Sequence, residues 1–303
     1  MKVVKERCYE NWDGKLDSRY CSIGENAKLT LTIRIALVQY QSKSGYIQDY
    51  DGNQFNYNSW RPSEWKKYKQ DFTETANYAF YDEIWLLNNH KSLFFYHKKE
   101  KFYPNIQCDI NCEIVEPDEY PHRVVYVVNF DAVKNPQGLD QTGKHIFRSH
   151  SGLVTSFDNK SRITGYDNKN LPIWQNTIAH EFGHMIGLHH VNQGKNFDCP
   201  NFDDMSLKGY SWWPFIEHGN SACYGVTDYE KKALMGRGNE IREKDADPWR
   251  RVIIDMLGVG QFSNKWRSWP AHTTEIFPRT NAEVDNNIVV DLKNVNQYRS
   301  KYI

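Results

Sequence analysis

The sequence predicts an α+β fold, on three observations. Lys28 to Gln39 alternates apolar and polar residues, with Leu29, Leu31, Ile33, Ile35 and Leu37 on one face, as a half-buried strand does. Ser63 to Tyr81 carries Trp65, Tyr68, Phe72, Ala76 and Ala79 as a stripe at helical spacing, opened by Pro62. Between that helix and a second one around His180 lie several short apolar runs suited to strands.

The elements follow in chain order. Residues 1–27 read as an irregular lead-in, and Tyr40 to Trp60, rich in Ser, Gly, Asn and Asp, as a long loop. Strand-like runs come at Ile84 to Leu87, Leu93 to Tyr96 and Ile110 to Val115. Arg123 to Phe130 has the Val-rich composition of a buried strand. Gly152 to Phe157 suits an edge strand. A helix follows, with Asn170 as its expected N-cap and Pro172 near its first turn. Its apolar face is Ile178, Phe182, Met185 and Ile186, with Thr177, His180, Glu181 and His184 opposite. After a loop-rich stretch, Pro248 to Leu257 reads as a helix capped by Asp247 and closed by Gly258. Residues 259–303 form an extension without a motif. No internal repeat or low-complexity tract is present.

Composition excludes some functions. Lys plus Arg (38) equals Asp plus Glu (38), so no basic field points to nucleic acid or to an acidic membrane surface. No apolar run is long enough for a membrane span; Leu29 to Tyr40 is interrupted by Thr32, Arg34 and Gln39. Met1 to Ser22 is polar and lacks a classical signal core. Export would therefore use a non-classical route, unless the protein stays inside or a signal has already been removed. Six cysteines (Cys8, Cys21, Cys108, Cys112, Cys199, Cys223) allow three disulfides, with Cys8–Cys21, Cys108–Cys112 and Cys199–Cys223 as the sequence-local pairs, or six thiols. Nothing in the composition fixes the oligomeric state.

The chemistry sits in His180-Glu181-Phe182-Gly183-His184-Met185-Ile186-Gly187-Leu188-His189-His190. Histidines four apart project from one helix face and can grip one metal ion. Glu181 lies beside the metal without being needed to bind it, which suits a base acting on water. Gly187 can adopt a left-handed conformation, stop the helix and let the chain return His190 as third ligand. Three neutral imidazoles leave a fourth tetrahedral position open, the mark of a catalytic rather than structural zinc site. His189 falls one residue short of the ligand spacing and is expected at the surface or behind a ligand. His145, His150 and His218 are expected to be ordinary surface or core histidines.

The segment His180 to His190 resembles the zinc signature of the metzincin metallopeptidases. That family carries a methionine turn downstream, and Ala233-Leu234-Met235-Gly236-Arg237-Gly238 resembles it, with Met235 as the methionine and two glycines permitting a tight backbone. The resemblance implies a twisted mixed sheet with two long helices in an upper half, residues 28–190. It also implies a loop-rich lower half, residues 191–258, closed by a C-terminal helix. It further implies one catalytic Zn2+ on His180, His184 and His190, Glu181 as general base and then acid, and a protein or peptide substrate. The chain departs from the pattern at Arg237, where some members place a tyrosine in the zinc shell, and at Val191, which matches no well-known subfamily. Arg237 or a tyrosine from the Tyr224 to Tyr229 region would be an assisting group, but salt-bridging or simple packing is the expected role of each.

Three alternatives stay open at this level. Glu217, Glu230 or Glu240 would be the third ligand of a related zinc pattern. A zinc-stabilised module binding protein or glycan, rich in aromatics (15% of residues), would need no catalysis. A catalytic zinc domain lacking a signal would also suit a secreted effector or toxin.

Overall fold

Residues 4–48, 52–81, 84–88, 93–131, 147, 149–193, 199, 223–257, 266–270, 277–286 and 288 are described by the computed structural model. In chain order the strands and helices begin with β1 (Val4–Cys8), β2 (Asp13–Asp17), β3 (Ala27–Gln39), β4 (Gly45–Gln48), β5 (Gln54–Tyr57) and α1 (Pro62–Tyr78). Then come β6 (Ile84–Asn88), β7 (Phe95–His97), β8 (Glu100–Tyr103), β9 (Ile106–Ile114), β10 (Arg123–Val128) and β11 (Leu153–Thr155). After these lie β12 (Ser161–Tyr166), β13 (Pro172–Asn176), α2 (Thr177–Met185), α3 (Asp228–Lys231) and α4 (Asp247–Leu257). The described elements end with β14 (Trp266–Pro270), β15 (Arg279–Thr280) and α5 (Asn281–Asp285). The chain is α+β, with a mixed twisted sheet and few helices. No described helix is long and apolar enough to cross a membrane.

Two compact units divide the chain: residues 1–33, 80–112 and 241–303 form one, and 34–79 with 113–240 the other. Strands lie in the order β1-β2-β3-β9-β6-β14, of which β1, β2, β6 and β14 belong wholly to the first unit. The stretch expected to be an irregular lead-in thus contains an antiparallel hairpin, Val4 opposite Asp17. Its register is set by Gly14, Leu16 and their neighbours alternating inward, a pattern too short to stand out from a charged segment. The helix read near Pro248 is α4. Trp249 on it is fully buried, donates its indole N–H to the Asp109 carbonyl at 2.8 Å, and packs on Phe80. Gly258, its expected closing residue, lies outside the described residues.

The second unit carries the parallel part of the sheet. β10 pairs in parallel with β3 (Arg123 opposite Ile35) and with β11 (Tyr126 opposite Leu153). Val125, Val127 and Val128 are buried, but Val124 and Tyr126 are about half exposed, so this strand is covered on one face rather than both. The expected loop 40–60 contains the hairpin β4–β5. Its Ile47, Phe55 and Tyr57 join Val128, Phe130 and Phe147 in one apolar cluster, which is what converts a polar-looking segment into ordered strand. Helix α1 begins one residue earlier than expected, at Pro62, and the Glu64 carboxylate accepts from the Arg61 N–H. It buries Tyr68, Phe72 and Ala76, and the Tyr68 hydroxyl donates to the Thr155 carbonyl of β11.

The second helix differs most from expectation. Asn170 is no N-cap: it holds a positive φ of 62° in the turn between β12 and β13, a conformation asparagine tolerates. Pro172 to Asn176 continues as strand, exposed and buried in alternation, and Pro172 takes the first strand position, where a missing N–H costs little. The cap is Asn176, whose side chain accepts from the Ala179 N–H at 3.1 Å. Helix α2 is therefore short, nine residues, where a long helix was expected.

Asp167 organises the β12–β13 turn. Its carboxylate accepts from the Lys169 and Leu171 N–H groups and from the Lys232 ammonium at 2.9 Å. The lysine bond, with the backbone donors, holds the carboxyl down at about 2. Because the folded value lies below the unfolded one of about 3.9, this stabilisation is present above about pH 4 and is lost as pH falls toward 2. We expect Asp167→Asn to flatten the acid side of the stability profile, read as melting temperature against pH from 5 to 2. Parallel profiles for the two proteins would disprove the role.

Candidate metal centre

Helix α2 places His180 and His184 one turn apart, and its end shapes the rest of the site. Gly187 has φ of 84°. Its N–H bonds to the His184 carbonyl and that of Leu188 to the Gly183 carbonyl, both at 2.9 Å, the paired closure that a left-handed residue makes at a helix end. This turn also aims the Leu188 carbonyl at Nδ1 of His184, 2.8 Å away. His180 finds a matching acceptor farther off in sequence: its Nδ1 lies 2.7 Å from the Leu234 carbonyl.

These two contacts decide the tautomers. A carbonyl oxygen at such distances requires a proton on Nδ1, so both rings leave a lone pair on Nε2. Those two nitrogens lie 3.3 Å and 3.1 Å from Nε2 of His190, and the three side chains can together hold a metal ion. One proton on His190 satisfies at most one well-aligned bond, whereas a cation between them satisfies all three lone pairs. Tetrahedral nitrogen ligands about 2.0–2.1 Å from an ion stand about 3.3 Å apart, so the two spacings to His190 fit one ion. Burial, reinforced by the neighbouring imidazoles, lowers His180 to about 3 and pushes His190 well below its ordinary value; burial also lowers His184 to about 4. Neutral rings are what a metal ion requires.

His190 is held differently. Its Nδ1 is buried with no hydrogen-bond partner among the described residues, and its ring packs against Tyr224, centroids 4.2 Å apart. Tyr224 follows Cys223, which is disulfide-bonded to Cys199, and the Cys223 carbonyl accepts from the Asn192 N–H. Of the three sequence-local pairs only this one forms; Cys21, Cys108 and Cys112 are buried thiols and Cys8 an exposed one.

Met235 is buried beneath the helix. A β-carbon on Gly183 would come within 2.5 Å of its sulfur, so the glycine between the two histidines is the gap that admits it. The Met235 carbonyl accepts from the Val191 N–H, fastening the chain just past His190. Arg237 lies along the hairpin at Gly165, its carbonyl accepting from the Thr164 hydroxyl at 2.5 Å. Glu181 is buried. Desolvation, with Asp158 adding its charge, raises its carboxyl well above the usual range.

The other residues weighed from sequence lie elsewhere in their environments. The Glu230 carboxylate accepts from the Val226 and Thr227 N–H groups as part of the α3 cap, and Glu240 is exposed. His189 is exposed, Tyr229 likewise, and His150 accepts from the Gly152 N–H in a turn. Glu217, His145 and His218 fall outside the described residues. Sequence reasoning missed Gln175. Its signal was present in the inward alternation of Ile173 and Gln175, hidden because the segment was assigned to the helix.

The fold and the site together define an α+β chain with three clustered histidines, His180, His184 and His190, that could hold a metal ion. Comparison with protein-family models, with curated proteins and with solved structures found no match.

Proposed function

We propose that this protein is a zinc-dependent endopeptidase of the metzincin kind. The observation that carries the proposal is the convergence of three imidazole lone pairs, two with tautomers set by carbonyl groups, with a buried carboxyl on Glu181, the residue that follows the first of these histidines. His180, His184 and His190 would hold the ion, which when bound supplies a Lewis acid and brings the pKa of a water molecule down to about 7. The chain's own contribution to proton transfer is Glu181. Its carboxylate would accept the proton released from water and return it to the leaving amine; burial raises its proton affinity above that of an ordinary carboxylate, which favours taking the proton. Met235 and Gly187 shape the support: one fills the space under the helix, the other turns the chain toward His190.

The test is purified protein against a broad peptide library, with and without a chelator. Cleavage that disappears on chelation and returns with added zinc is the expected result. A metal-loaded protein that cleaves nothing in the library would instead point to a binding module.

A further inference from the structure

The amide of Gln175 occupies an unusual position. Its Nε2 lies 3.0 Å from the Gly236 carbonyl, 3.3 Å from that of Leu234 and 3.4 Å from that of Gly238. Three carbonyls of one turn thus converge on a single buried side chain. The same nitrogen is 3.1 Å from Nδ1 of His180, an approach without a hydrogen bond because both nitrogens carry protons, and the Leu234 carbonyl is the acceptor for that imidazole. The orientation of the amide follows from its surroundings: turned over, its oxygen would face three carbonyl oxygens. Its two N–H groups therefore point into the turn, which without them would hold a set of buried acceptors lacking donors. The strand end carrying Gln175 is tied to the same turn a second time, by the Asn176 N–H to the Asn239 side chain at 2.8 Å.

We infer that Gln175 is a positioning residue of the metal centre: it gathers the 234–238 carbonyls so that Leu234 presents its oxygen to His180, fixing the tautomer and orientation of that ring. The inference rests on the reading of the three histidines as a metal site and adds a residue outside the His-Glu-x-x-His pattern. A group that orients a ligand through its outer nitrogen typically controls metal affinity by about 10–100-fold. Gln175→Met keeps the length and removes both donors. Gln175→Asn keeps a buried amide but withdraws it by one methylene, so it serves should the methionine variant fail to fold. Thr164→Val is the control, since its hydroxyl supports the Arg237 carbonyl of the same turn without approaching His180.

The experiment measures zinc dissociation constants by competition with a chelating indicator, alongside the melting temperature of each metal-free protein. Both Gln175 variants should bind zinc about 10–100-fold more weakly than wild type, and Thr164→Val within about threefold of it. Wild-type affinity in the folded Gln175 variants overturns the inference, as does an equal loss in Thr164→Val, which would mean general support of the turn. A wild-type protein that binds no zinc overturns the metal site itself, a result distinct from either.

Discussion

Under the proposed mechanism, Glu181→Gln should abolish peptide hydrolysis while zinc content and melting temperature stay at wild-type values. The substitution keeps size and hydrogen-bonding atoms but removes the group that can take a proton. General acid–base catalysis by a positioned side chain contributes about 10²–10⁴-fold, so kcat should fall by that factor with little change in KM. Glutamine also relieves the burial of an ionisable group, so the variant should fold at least as well as wild type. The measurement is kcat and KM on one cleaved peptide, with metal stoichiometry from elemental analysis. Activity within tenfold of wild type in a metal-loaded variant would remove Glu181 from the mechanism. If the wild type cleaves nothing, a partner or glycan assay that Glu181→Gln leaves unchanged would favour the binding module.

His190→Ala should weaken zinc binding by more than about 100-fold, beyond the range expected for a residue that only supports a ligand. The variant should also lose the stabilisation that metal confers on the native state. For wild type that is about 2.7 kcal/mol at a free zinc concentration one hundred times the dissociation constant. The readout is melting temperature with and without saturating zinc: a clear rise for wild type, little or none for the variant. Zinc retained at full stoichiometry would mean that another side chain completes the site. Glu230 is engaged in the α3 cap and Glu240 is exposed, so neither is placed to do so as it stands.

The parts of the site that were legible in sequence are those governed by short-range geometry. His180 and His184 share a helix face because of their spacing alone, and Gly187 stops the helix because its backbone can turn left-handed there. The start of that helix was misplaced by six residues, from Asn170 to Asn176. Pro172 and Asn170 offer good local capping chemistry, but pairing of Pro172–Asn176 with Ser161–Tyr166 outweighs it, and a ladder between strands leaves only a weak trace in one of them. The hairpins at residues 4–17 and 45–57 were invisible for the same reason. Their order comes from neighbours distant in sequence, such as Phe130 and Phe147 against Phe55. Among the three sequence-local cysteine pairs, sequence offered no basis for preferring Cys199–Cys223.

What the amino-acid order determined by itself is the donor set: three imidazoles, a carboxylate beside the first, and a glycine where the chain must reverse. These depend on dihedral preferences and on a period of a few residues, which act within a single turn of backbone. What the tertiary structure alone decided is how those donors face one another. The proton on His180 Nδ1 faces a carbonyl 54 residues away, and that carbonyl also accepts from the Gln175 side chain on β13. A hydrogen bond is sensitive to a few tenths of an ångström, and such accuracy between remote segments arises only when the packed chain holds both ends.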